Sequence, residues 1–182
     1  CVKYSFLISL HPINLISMIQ ITLPDGSVKE FNQNSTPMDV AKSISEGFAR
    51  NVISASFNDT TIETSTPLTT NGSLVLYTFN DDDGKKAFWH SSAHVLAQAI
   101  LEFHPKAKLT IGPAIDNGFY YDLDLEDEVI SEKDFTKIEQ KFLELARGKH
   151  EFKLRSVSKA DALTYYKEEG NQYKVELIEN LT

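Results

Sequence analysis

Apolar and polar residues alternate in the first part of the chain, as expected for strands that bury one face. Residues 19–23 alternate in this way and predict a strand. The Pro-Asp-Gly sequence at 24–26 predicts a turn, and residues 27–31 predict the returning strand. Three further short strands are expected, at 52–57, 61–63 and, after the Asn71-Gly72 turn, 74–79.

The spacing changes to that of a helix at Thr36. Thr36 is a suitable N-cap, Pro37 fits the first helical position, and Asp39 places a carboxylate where a helix start favours it. The predicted helix has its apolar residues at Val40, Ala41, Ile44 and Phe48. A hairpin, a helix and further strands make a small α+β unit of the ubiquitin-like, β-grasp kind. Because it has no histidine, cysteine or phosphate-binding glycine loop, we expect it to bind or dock.

Residues 87–101 have the periodicity of one long helix with two histidines four positions apart. At about 100° per residue, His90 and His94 share a face with Gln98 and Leu101. Pro105 disfavours helix at the preceding residue, so the helix should end near His104 and leave that side chain exposed. The opposite face is expected to pack through an apolar stripe of Phe88, Val95, Leu96, Ala99 and Phe103.

Shorter elements are predicted after this helix. Residues 108–111 and 119–123 predict two strands, and Tyr120 and Tyr121 should point to opposite faces. Ser131 and Asp134 resemble a capping box for a helix that stops near Gly148. The remaining predictions are a strand at 151–157, a short helix capped by Ser158 that ends at Gly170, a last strand at 173–178 and a surface position for His150.

These patterns divide the chain into three segments. Residues 1–17 are interpreted as a non-native or upstream-translated tail, with Met18 as the expected start. A signal peptide is disfavoured because His11 and Pro12 interrupt the apolar run and no small-residue cleavage site follows. Residues 18–80 form the first unit, the polar sequence at 80–84 marks a boundary, and residues 81–182 form a second α+β unit.

The composition is that of an ordinary globular protein, since 41% of the 182 residues are hydrophobic and 24% are charged. The net charge of −8 argues against a broadly basic nucleic-acid-binding surface, although a local basic patch remains compatible with it. The single cysteine, Cys1, excludes an intrachain disulfide framework and is typical of a reducing cytoplasm. No segment is long and apolar enough to predict a membrane span.

The paired histidines alone leave their role open. They fit a solvated helix face without chemistry as well as a catalytic or metal site. The zinc-protease pattern requires Glu directly after the first histidine, and Ser91 occupies that position. Without an evident third ligand, no metal is predicted here. Ser91 and Ser92 do not lie in a nucleophile elbow, and the sequence contains no phosphate-binding glycine loop.

Four ordered segments resemble the threonyl-tRNA synthetase family of bacterial type. Residues 19–27 resemble the opening of its TGS domain, and residues 88–94, with the H-x-x-x-H pattern, resemble its editing domain. Residues 111–122 and 173–175 match further stretches in the same order. The H-x-x-x-H pattern alone is shared with alanyl-tRNA editing proteins, but the ordered matches extend from Met18 to Thr182.

The resemblance implies a TGS domain at 18–80 and a tRNA-editing domain at 81–182 that is truncated at its C-terminal end. The family joins threonine to tRNA and hydrolyses wrongly made seryl-tRNA. A second, hydrolytic site is needed because a difference of one methyl group discriminates two substrates only about 10–200-fold. The resemblance places His90, His94 and Lys174 in that hydrolytic pocket, and Gly112 and Tyr121 near the bound aminoacyl-adenosine.

The family also implies parts that this sequence lacks. The sites for ATP (with Mg), zinc and threonine and the homodimer contact belong to a catalytic core, and the editing pocket includes a C-x-x-x-H segment. We therefore expect a cytoplasmic N-terminal fragment that contacts the acceptor end of threonine tRNA, holds no cofactor or membrane partner, and is inactive alone. The alternatives are a stand-alone, non-catalytic TGS-type RNA-binding or regulatory module and a free-standing hydrolase related to alanyl-tRNA editing proteins.

Overall fold

The computed structural model describes residues 17–148 and 155–181. The backbone contacts divide the chain into two compact units, with the division between Phe79 and Asn80. The predicted tail (apart from residue 17), His150 and most of the strand predicted at 151–157 lie outside the described residues. Within the two described ranges, no helix is long and apolar enough to cross a membrane.

Residues 17–79, the described part of the first unit, form a five-stranded mixed sheet with two short helices. Its elements are β1 (Met18–Thr22), β2 (Val28–Asn32), α1 (Pro37–Ile44), α2 (Glu46–Ala49), β3 (Val52–Phe57), β4 (Thr60–Ile62) and β5 (Gly72–Thr78). The strand order is β2-β1-β5-β3-β4, and β1 and β5 are parallel while the other neighbours are antiparallel. This is a β-grasp arrangement, and the predicted α+β class is confirmed.

The predicted alternation of β1 supplies the core of this unit. Ile19 and Ile21 are buried with Val40 of α1 and Leu74 of β5, while the intervening residues of β1 face away. The predicted cap of α1 is also present, because the Asp39 backbone N–H donates to Thr36 Oγ1 at 3.2 Å and the Asp39 carboxylate accepts from the Thr36 N–H at 2.9 Å.

One helix predicted across residues 36–48 is two helices in the structure. Ser45 has extended backbone angles and is both the C-cap of α1 and the N-cap of α2. Its side-chain oxygen accepts a hydrogen bond from the Phe48 N–H at 3.0 Å. A serine that caps a new helix competes with continuation of the previous one, which explains the break.

In the described residues of the second unit, four helices combine with two small antiparallel ladders. Its elements are α3 (Asp82–Phe103), β6 (Lys108–Leu109), β7 (Ala114–Ile115), β8 (Gly118–Phe119), β9 (Leu123–Asp124), α4 (Glu132–Arg147), α5 (Lys159–Glu168) and α6 (Gln172–Glu179). Strand β6 pairs with β9 and β7 pairs with β8, both antiparallel. Helices α3 and α4 pack together through Ala99, Ile100 and Ile138.

The long helix α3 is confirmed, and its predicted apolar stripe is confirmed in part, since Ala99 is buried and Leu96 packs against the same core. Phe88 and Phe103 are 40% and 36% exposed, whereas Ala93, Ala97 and Ile100 are buried. The prediction weighted side chains by size, while small alanines allow neighbouring elements to approach the helix closely. The prediction that His104 is exposed is wrong: its Nδ1 contacts Glu128 Oε2 at 2.5 Å, and the loop carrying Glu128 helps to bury it.

Two strand predictions in this unit are also corrected. The strand predicted at 119–123 is divided between β8 and β9 because the chain changes pairing partner between them. The strand predicted at 173–178 is helix α6, which begins at the N-cap Asn171. The helices predicted after Ser131 and Ser158 are present as α4 and α5, each with a serine N-cap.

We expect Leu74→Ala to lower the free energy of unfolding of the first unit by about 3 kcal/mol, because Leu74 is fully buried and the substitution leaves a cavity. Urea unfolding followed by circular dichroism measures the loss. Val28→Ala, at a side chain 56% exposed on β2, is the matched control and should change stability by about 0.5 kcal/mol or less. Equal effects of the two substitutions would contradict the described core.

Candidate active site

His90 and His94 form a pair on the surface of α3. Their Nε2 atoms are 3.2 Å apart, and the ring centroids are 4.6 Å apart with the planes at 85°. A hydrogen bond at this distance requires one ring to donate its Nε2–H and the other to accept with a bare nitrogen. The two imidazoles are therefore linked into one unit that can share and transfer a proton.

Lys174 of α6 acts electrostatically on His94. The pKa of His94 lies below its ordinary value because the ring is partly desolvated and because His90 and Lys174 can both carry positive charge towards it. Partial burial likewise lowers the pKa of the Lys174 ammonium group. His94 is therefore biased towards the neutral imidazole that can accept a proton near pH 7.

The first turn of α6 is attached to the β6–β9 ladder by two side chains that precede Lys174 in the sequence. Asn171 donates from Nδ2 to the Leu109 carbonyl oxygen of β6 at 3.0 Å and accepts the Lys174 N–H on Oδ1 at 3.1 Å. The Tyr173 hydroxyl donates to Asp124 Oδ2 of β9 at 2.7 Å. These bonds determine the place of the Lys174 backbone.

Gly112 and Tyr121 form a second close contact. A Cβ atom at position 112 would overlap Cδ2 of the Tyr121 ring and lie 2.5 Å from its Cε2 atom, so only glycine lets the ring lie against the backbone here. Burial raises the pKa of the Tyr121 phenol, with a further contribution from Tyr166 of α5. Tyr120, in contrast, is 47% exposed, consistent with the predicted opposite directions of the two tyrosines.

The structure thus brings His90 and His94 into contact, with the Lys174 charge acting on His94, and separately brings Gly112 and Tyr121 together. The two groups are connected through residues 109–112, because Asn171 holds Leu109 three positions before Gly112. Such an arrangement offers a proton acceptor, a cation and an aromatic surface. Two imidazole nitrogens could ligate a metal, but no group of three His, Cys, Asp or Glu residues suited to a metal occurs in residues 17–148 and 155–181.

Asn171, Tyr173 and Asp124 are site-supporting residues that sequence reasoning missed. A signal for Asn171 was available, because Gly170 with φ of +66° can end one helix and Asn is a strong N-cap for the next. The β-prone residues at 173–178 outweighed that signal. Nothing in the sequence indicated the contact of Tyr173 with Asp124, which lies 49 positions earlier.

The comparison with family models finds one match in the chain. Residues 19–78 match the TGS domain, which agrees with the β-grasp sheet of the first unit. The match begins within β1 and ends at the last residue of β5.

Relatives extend the similarity into the second unit. A threonine–tRNA ligase of Flavobacterium johnsoniae is 69% identical over 164 residues, which cover 90% of this chain and 25% of that protein. The chain matches the N-terminal region of threonine–tRNA ligases. The threonine–tRNA ligases of Cytophaga hutchinsonii and Clostridioides difficile are each 47% identical, over 91% and 90% of the chain. The chain spans about a quarter of the length of these curated relatives.

We expect Lys174→Met to raise the pKa of His94, because the substitution removes a positive charge that lowers this pKa and keeps an unbranched side chain. An NMR titration of the imidazole signals in this chain measures the change. Lys133→Met, at an exposed position of α4, is the control. A His94 pKa that is the same in both variants would contradict the described neighbourhood.

We also expect Gly112→Ala to destabilise the second unit by about 1–3 kcal/mol, because the added methyl group forces the Tyr121 ring to move. Denaturant unfolding followed through Trp89, the single tryptophan of the chain, reports on this unit. Gly47→Ala in α2 meets only Ser45 Oγ at 3.9 Å and should leave the Trp89 transition unchanged. The packing described for Tyr121 is wrong if Gly112→Ala also leaves the Trp89 unfolding transition unchanged.

Proposed function

We propose that the second unit, residues 81–182, contributes the proofreading pocket of a threonine–tRNA ligase and hydrolyses seryl-tRNA there. The observation that carries the proposal is the His90–His94 hydrogen bond with Lys174 acting on it. The similarity of 90% of the chain to threonine–tRNA ligases supports the choice of substrate. Serine lacks one methyl group of threonine, a difference too small for a synthetic site to exclude alone.

The proposed reaction is attack of water on the ester that joins serine to the terminal ribose. The neutral imidazole pair accepts a proton from the water as its oxygen bonds to the carbonyl carbon. The Lys174 ammonium stabilises the negative charge that develops on the carbonyl oxygen. The ester bond to the ribose oxygen then breaks, and that oxygen receives the proton from the imidazole pair. The products are serine and uncharged tRNA.

Gly112 and Tyr121 have a binding role in this proposal. The Tyr121 ring, held against the backbone at Gly112, provides a flat apolar surface for the terminal adenosine. The TGS domain at 19–78 is proposed to dock RNA, since its sequence contains no histidine, no cysteine and no phosphate-binding glycine loop.

The remaining parts of the proposed activity belong to the rest of the ligase. ATP with Mg, zinc and threonine bind in the synthetic core, which also forms the homodimer. The described residues bring no third metal ligand to the histidine pair, and no step above is assigned to a metal. The same similarity to threonine–tRNA ligases supports the proposal of a tRNA partner and a cytoplasmic location.

Within the complete ligase, Lys174→Met should lower the rate of seryl-tRNA hydrolysis by about 10²–10³-fold, because one group that stabilises the oxyanion is lost. Deacylation of preformed seryl-tRNA measures the rate, and His94→Ala should show a loss of about 10²–10⁴-fold. Lys133→Met is the control and should hydrolyse at the unaltered rate.

Unchanged hydrolysis in Lys174→Met and His94→Ala would contradict the proposal. If both variants also bind tRNA as the unaltered protein does, the alternative of a non-catalytic, TGS-type RNA-binding module is favoured.

A further inference from the structure

The first turn of α6 is bound to both strands of the short β6–β9 ladder. Asn171 contacts β6 at Leu109, and Tyr173 contacts β9 at Asp124. In this ladder Leu109 is paired with Leu123 and Lys108 with Asp124, so the two anchor points lie on neighbouring rungs. The turn that carries Lys174 is therefore held at two points and cannot rotate about either one.

Asn171 uses both ends of its side-chain amide. Its oxygen accepts the Lys174 N–H at 3.1 Å, which caps the helix, and its nitrogen donates to the Leu109 carbonyl at 3.0 Å. The cap function alone requires only the oxygen. The hydrogen bond from the Asn171 side-chain nitrogen therefore has a separate role, which is to attach the start of α6 to β6.

Tyr173 meets a carboxylate whose two oxygens are both occupied. Asp124 accepts the Tyr173 hydroxyl on Oδ2 at 2.7 Å and the Glu126 N–H on Oδ1 at 2.9 Å. These hydrogen bonds keep the pKa of Asp124 below its ordinary value, so the carboxylate is charged at neutral pH. A hydrogen bond to a charged acceptor is stronger than one between neutral groups.

Lys174 depends on this support because its own side chain is long and flexible. A lysine loses rotamer entropy when it is held in one place, and the ammonium group here is partly desolvated as well. A fixed backbone at residue 174 limits the positions that the ammonium group can reach.

We propose that Asn171 and Tyr173 are positioning residues for Lys174, holding the first turn of α6 against the β6–β9 ladder so that the ammonium group faces His94. The inference rests on the proposed function and deepens it by naming the residues that orient its cation. Neither residue is assigned contact with the substrate.

The first test is Tyr173→Phe, which removes the hydroxyl and keeps the ring. If the ammonium group is released from His94, the pKa of His94 should rise by most of the amount produced by Lys174→Met. Tyr165→Phe removes the same group from an exposed ring on α5 and is the control. NMR titration measures all three variants in this chain, and the Trp89 transition verifies that the second unit remains folded.

The second test separates the two ends of Asn171. Asn171→Ser keeps an oxygen that can cap α6 and removes the donor to Leu109. The proposal expects the pKa of His94 to rise in this variant as well. It is overturned if His94 titrates identically in Tyr173→Phe, Asn171→Ser and the unaltered chain, because the two residues then serve only the stability of α6.

Hydrolysis by the complete ligase distinguishes this inference from the proposed function. Tyr173→Phe should lower kcat about 10-fold to 100-fold, since a small displacement of a catalytic group has an effect of this size. Its KM should stay close to the unaltered value. A rise in the His94 pKa together with an unaltered ligase that does not hydrolyse seryl-tRNA would support the positioning role and refute the proposed function.

Discussion

The antiparallel ladder between β6 and β9 is the constraint on which the candidate site depends. It contains only two residue pairs, yet it binds the start of α6 through Leu109 and Asp124. The same ladder closes the segment between residues 110 and 122, which contains the contact of Gly112 with Tyr121. Helix α3, which carries the histidines, packs on the β7–β8 ladder within this segment. The start of α6 and the Gly112–Tyr121 contact, which are distant in sequence, thus both depend on the β6–β9 ladder.

The site combines groups that gain positive charge on protonation. His90, His94 and Lys174 repel one another when all are protonated, and partial burial adds to that cost. Such a cluster is most stable when part of it is neutral or when negative charge arrives. An ester under attack by water develops negative charge only near its transition state, so the electrostatic benefit is greatest there.

The features predictable from sequence are those determined by nearby residues. The alternation in β1, the caps at Thr36, Ser131 and Ser158, and the i, i+4 spacing of the histidines all act within a few positions. The features that were missed depend on distant partners. His104 is buried at the end of α3, where the exposed Glu128 of a later loop hydrogen-bonds to it. Phe119 and Leu123 belong to different ladders because each pairs with a different strand.

Helix α6 differs from the strand predicted at 173–178 for another reason. Tyr173, Val175 and Ile178 favour strands in general, and their pattern predicts a strand where the N-cap Asn171 begins a helix. In the structure Ile178 is buried and Tyr173 donates a hydrogen bond to Asp124. A helix allows both contacts, but strand propensity alone does not predict them. The resemblance to a known family indicated Lys174, but local pattern did not indicate how its backbone is held.

The 3.2 Å contact between the two imidazoles limits where residues can be inserted into or deleted from this chain. Both rings project from one continuous helix, so their spacing is determined by helical pitch alone. An insertion or deletion of one residue between them would turn one ring by about 100° around the axis and separate the pair. Loops elsewhere in the chain can change in length without affecting this contact. The number of residues between His90 and His94, in contrast, must stay at three.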